Sequence, residues 1–94
     1  QAIKKDLQNS FSFFTYLSPF RQKVLIKMTK QTSINGIVTF ERMISALKRR
    51  DFDEASRQMV HSHWGRRVGQ RAYELSKVMK SGKREDLERW LKDK

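Results

Sequence analysis

The chain has 94 residues, 37% hydrophobic and 33% charged, which suits one modest core under a heavily solvated surface and is too short for two. Its net charge is +11 and its pI near 10.5, a field that favours polyanions: nucleic acid, an anionic membrane surface or the anionic bacterial wall. Cysteine is absent, which excludes disulfides and thiolate chemistry, and no apolar run approaches the ~20 residues of a membrane span, so no membrane insertion is expected.

No signal peptide is visible, and the opening on Gln1 rather than Met reads as a fragment or a processed product. Residues 1–47 carry seven Lys/Arg against two acids and residues 48–94 fourteen against eight, so the positive charge is not confined to a tail. The opening places Leu7, Phe11, Phe14 and Leu17 at helical spacing, with Asn9-Ser10 as an interruption. Ser18-Pro19 reads as an N-cap followed by proline at the first helical position. From there Phe20, Val24, Leu25 and Met28 recur at helical spacing, and Ile26 adds a second apolar side. A helix apolar on more than one face is expected at the centre of the fold. It should fray near Thr32-Ser33, with Asn35-Gly36 bending into a single helical turn that ends near Val38.

Phe40, Met43, Ile44 and Leu47 form the next stripe, closed by the cationic Lys48-Arg49-Arg50 that suits a helix C-terminus. Asp51 with Glu54 predicts a capping box for a helix burying Phe52, Ala55 and Met59. A short turn is expected around Trp64-Gly65. Beyond it a helix carries Ala72, Leu75, Val78 and Met79 to a stop at Ser81-Gly82. Leu87, Trp90 and Leu91 predict a last amphipathic turn. The expected fold is all-α, an irregular bundle of short helices around one buried central helix, and a single domain overall.

Few residues offer chemistry. His61 and His63 at i, i+2 point apart on a helix and lack a third ligand, so they read as surface or capping histidines. No phosphate loop and no nucleophile triad is present, and no cofactor or metal is expected. Within residues 1–50 the only carboxylates are Asp6 and Glu41, whereas glycoside hydrolysis normally uses two carboxyls flanking one bond. The run from Trp64 to Arg71 is the most distinctive. A tryptophan beside three arginines can stack on a sugar or base while the guanidiniums hold anionic groups. Equally, Trp64 can be a packing residue and the arginines merely solvated.

The order of these residues carries a resemblance. From Arg21 to Gly82 runs a helix with Leu25-Ile26 and Met28, then Gln31, Gly36 and Phe40, and a helix ending at Leu47. Asp53-Glu54-Ala55 follows an aromatic, Ser62 precedes Trp64 by two, Arg71-Ala72 comes after, and Ser81-Gly82 closes the last helix. In this order the stretch resembles the C-terminal lobe of the lysozymes of T-even bacteriophages. The resemblance implies a two-lobed muramidase whose N-terminal lobe supplies the catalytic glutamate. Residues 1–17 are then the end of the connecting helix and a following short helix, and residues 18–94 the helical lobe. The partners implied are a peptidoglycan glycan strand and that N-terminal lobe. The protein is then phage-encoded, held in the host cytoplasm before lysis or on the virion tail, and acts on the periplasmic cell wall.

By the same resemblance Gln31 and Trp64 form the wall behind the catalytic acid, and Arg71 lies where it can pair with that acid and tune its proton. Lys30, Met43 and Gln58 fall on substrate-facing positions; the family has an aromatic where Lys30 stands and a hydroxyl where Met43 stands, whereas Gln58 keeps a polar group. Thr32-Ser33 replaces a Met-Gly-type bend. No residue of this chain matches the acid, so these 94 residues cannot hydrolyse glycan by that mechanism alone. A second reading takes the lobe as a non-catalytic, basic structural or binding module of a phage particle, contacting nucleic acid or other phage proteins.

Overall fold

The computed structural model describes residues 2–83, and the expected turn at Leu87, Trp90 and Leu91 lies outside the described residues. The described residues form helices joined by short turns and contain no strand. Helix α1 spans Ala2–Ser10, a 3₁₀ turn follows at Phe14–Tyr16, and α2 spans Pro19–Ile37. Then come α3 (Glu41–Lys48), α4 (Phe52–His61), α5 (His63–Val68) and α6 (Gln70–Ser81).

The local signals explain most of these boundaries. Ser18 caps α2 by accepting from the Arg21 amide at 3.3 Å, with Pro19 at the first position as expected. Helix α2 breaks at Ser33, whose φ of 72° and ψ of 167° lie in a region that is almost exclusively glycine's. The Ser33 hydroxyl then accepts from the Gly36 amide at 3.2 Å and caps the single turn that follows. Gly36 is needed there, because a Cβ would lie 2.9 Å from the Thr32 Cβ.

Only half of the expected capping box forms. Asp51 accepts from the Glu54 amide at 3.1 Å, but the Glu54 carboxylate turns away to Arg57 and Gln58. The Asp51 amide is already taken by the Ala46 carbonyl at 2.8 Å, so nothing is left for Glu54 to satisfy. The expected turn at Trp64-Gly65 is corrected by the structure, which places both residues in the first turn of α5. Ser62 is the reason: its hydroxyl donates to the Met59 carbonyl at 2.7 Å and accepts from the Gly65 amide at 3.0 Å, ending α4 and starting α5 in one residue.

The core runs through every helix. Leu7 of α1 meets Phe11, Phe14 and Leu17, then Val24, Leu25 and Met28 of α2. Met43 and Leu47 of α3, Ala55 and Met59 of α4, Trp64 of α5, and Leu75, Val78 and Met79 of α6 complete it. The α4–α6 interface is the most extensive, and α6 also packs on α2 and α5. Helix α2 buries Val24, Leu25 and Met28 and leaves Ile26 half-buried, so it shares the centre of the fold with α6. Among the described residues no buried side-chain nitrogen or oxygen lacks a hydrogen-bond partner.

One side chain joins three of these helices. Arg21 donates from Nε to the Met79 carbonyl at 2.7 Å and from Nη2 to the Lys80 carbonyl at 2.8 Å, which places a cation on the C-terminus of α6. Its guanidinium lies 3.5 Å from the centre of the Phe52 ring of α4. Burial lowers the Arg21 pKa, yet the carbonyls and the ring face supply the negative potential that its charge requires.

Candidate functional site: an open cleft at the carboxyl end of α2

The break at Ser33 turns the chain sharply and opens a cleft of about 800 Å³ between the end of α2, the start of α3, and α4–α5. Gln31 and Thr32 contribute from α2, Phe40 to Met43 from the start of α3, Gln58 from α4, and Trp64 and Arg67 from α5. Helix α3 opens with Phe40 at its N-cap and Glu41 in its first turn, so Glu41 stands at the positive end of a short helix. Its carboxylate is the only one lining the cleft among the described residues.

The structure brings Gln31 and Trp64 together. The Trp64 indole N–H donates to Gln31 Oε1 at 2.9 Å across 33 positions of sequence. Trp64 is 3% exposed and meets Phe40 edge-on, with ring centroids 6.3 Å apart. Of the two readings of Trp64, that burial supports the packing residue over a platform for a sugar or base. The indole is a wall, and its N–H holds the Gln31 amide oxygen at the cleft. Because Trp64 donates, the Oε1 of Gln31 is the acceptor and its amide N–H groups remain for a ligand.

The other expected residues divide. Met43 lies at the floor of the cleft with 1% exposure, so it gives the cleft an apolar base and almost no reachable surface. Gln58 is half-buried and donates to the second Glu54 oxygen at 2.8 Å, which orients its side chain along the wall. This bond and the Arg57 pair at 2.7 Å hold the Glu54 carboxyl below its ordinary range. Lys30 and Arg71 are exposed and line no part of the cleft; Arg71 stands in the first turn of α6.

Sequence reasoning missed Glu41, Arg42 and Phe40 as cleft residues, because only the break at Ser33 brings the start of α3 opposite Trp64. Arg67 was within the run singled out on the sequence, and it is the one arginine of that run that reaches the cleft. Among the described residues no cluster of His, Cys, Asp or Glu can hold a metal, and His61 and His63 are both exposed. Chemically, this is a polar, cation-rimmed groove with an apolar floor, suited to binding; it holds no carboxylate pair. No protein-family model, no curated sequence and no solved structure matches the chain.

Proposed function

We propose that this chain is the helical lobe of a phage-type lysozyme, forming one wall of a glycan cleft in cell-wall degradation. The observation that carries the reading is the Trp64–Gln31 hydrogen bond at the cleft, which joins two residues that the resemblance pairs behind a catalytic acid. On this reading the acid comes from a companion lobe that reaches Arg71 on α6, outside the cleft formed by this chain. The peptidoglycan strand lies along the groove, with the side-chain N–H groups of Gln31, Gln58 and Arg67 as hydrogen-bond donors to its hydroxyl, amide and lactyl carboxylate groups. A net charge of +11 draws the protein to an anionic wall.

The test is a titration of the chain with muramic acid–glucosamine oligosaccharides, followed by amide and side-chain NMR. Shifts confined to Gln31, Gln58, Trp64 and Arg67 are expected, with no cleavage by this chain alone. A titration without shifts at these residues rejects the cleft as a glycan site. Reading the codons upstream of Gln1 is the companion experiment: a glutamate in a short helix followed by a small β-hairpin is expected, and coding sequence that begins at Gln1 removes the enzyme. The second reading, a basic binding module of a phage particle without catalysis, is favoured by the buried Met43 where a glycan-binding hydroxyl is expected.

A further inference from the structure

A second groove, of about 590 Å³, lies at the opposite end of the same two helices. Where the cleft uses Gln31 and the start of α3, this groove uses Arg21 near the start of α2 and Leu47, Lys48 and Arg50 at the end of α3. Ten residues of helix separate Arg21 from Gln31, so the two sites stand ~15 Å apart along α2. Phe13, Tyr16 and Phe52 supply the aromatic part of its lining, and no acidic residue lines it.

Three features of the groove are independent of one another. Tyr16 is 77% exposed, the most exposed large apolar side chain among the described residues, and it stands on a pinned backbone. Its backbone amide donates to the Phe13 carbonyl at 3.0 Å, and the Gln22 side-chain amide donates to the Phe14 and Leu17 carbonyls at 3.1 Å each, so the backbone that carries the ring is held in place. Arg50 has a φ of 60° at the end of α3, where its amide donates to the Leu47 carbonyl and the next amide to Ala46. That is the position helices usually give to glycine. The Arg50 side chain lines the groove. Lastly, the sequence carries no acid from Leu7 to Phe40, and the neighbouring Asp51 pairs with Arg49 at 3.7 Å rather than with Arg50.

We infer that this groove binds single-stranded nucleic acid, with a base stacked on Tyr16 and backbone phosphates held by Lys48 and Arg50. Every base presents a π-face to an aromatic platform, so recognition is by stacking and charge and is tolerant of sequence. Arg21 does not take part directly: its Nε and Nη2 donate to α6 carbonyls and one face of its guanidinium lies on Phe52, so it adds held positive charge at the back of the groove. The proposal does not depend on the glycan reading of the cleft, which uses none of these residues.

Fluorescence anisotropy of a labelled oligo(dT) with the full chain tests it. Tyr16→Ala is expected to weaken binding about tenfold, and Tyr16→Phe to retain it. Arg50→Gly is expected to weaken binding several-fold and to lower the salt dependence by about one phosphate, while the melting temperature stays within about 5 °C. Arg66→Ala removes one exposed charge that lines neither groove and is expected to change affinity less than twofold. Equal losses for Arg66→Ala and Arg50→Gly, with Tyr16→Ala unchanged, overturn the proposal in favour of diffuse attraction. So does inorganic polyphosphate binding as tightly as the oligonucleotide and with the same indifference to Tyr16. If oligo(dT) binding fails while oligosaccharide shifts persist, only the groove is rejected.

Discussion

Ser33 holds a backbone conformation that costs a non-glycine residue on the order of 1–3 kcal/mol, and the residue offsets part of that cost by capping the turn after it. The two effects separate by substitution. Ser33→Gly removes the strain and loses little of the cap, so thermal unfolding is expected to show a gain of about 1 kcal/mol. Ser33→Ala keeps the strain and loses the cap, and a loss of about 1 kcal/mol is expected. Glu54 makes a second prediction. Its hydrogen bond from Gln58, then its pairing with Arg57, depress its folded pKa, so its stabilising contribution is complete above the unfolded carboxylate pKa. That contribution is lost as pH falls through the lower, folded value. Melting curves from pH 6 downward should therefore fall less steeply for Glu54→Gln than for the parent protein.

At the scale of elements, the α4–α5 corner is the tightest join in the fold. A Cβ on Gly65 would strike the carbonyls of Met59 and Val60, which are backbone and cannot swing aside. Gly65→Ala is expected to destabilise by about 1–3 kcal/mol, read as a lower midpoint in urea with unchanged m-value. It should also move Trp64, and with it the hydrogen bond to Gln31, so indole fluorescence is a second readout. The α4–α6 interface predicts a larger loss from truncation. Leu75 is fully buried on α6, and Leu75→Ala is expected to cost about 2–5 kcal/mol. The sequence indicated the helices themselves because their signals are local: Ser18-Pro19, the stripe from Phe40 to Leu47, Asp51, and Ser81-Gly82. It misread Trp64-Gly65 as a turn, because a glycine after a tryptophan carries no local mark of the Ser62 hydroxyl that caps both sides of the junction.

For the whole molecule, charge is the dominant property. Three ion pairs join side chains among the described residues, each within four positions of sequence, and all are partly exposed. Such pairs contribute little. A net charge of +11 on so small a chain repels itself, so added salt is expected to raise the melting temperature, the opposite of what a fold held by surface ion pairs would show. A melting temperature that falls between low and moderate sodium chloride would contradict this.

Composition, periodicity and capping residues were enough, by themselves, to determine an all-helical chain, most of its helix boundaries, the break near Ser33 and the strongly basic surface, because each depends on residues within one or two turns. Gln31, Trp64 and Arg71 entered through a resemblance, and the tertiary structure treats them differently. It joins Gln31 to Trp64 and leaves Arg71 exposed and outside the cleft. Only the tertiary structure decided that Trp64 is a buried wall, that Met43 is a floor, and that Glu41 and Arg67 reach the same groove. Only it placed Arg21 on the end of α6 and Tyr16 beside Arg50. Each of these facts depends on how helices far apart in sequence cross, and that is set by the packing of the whole core, which no short stretch of the chain records.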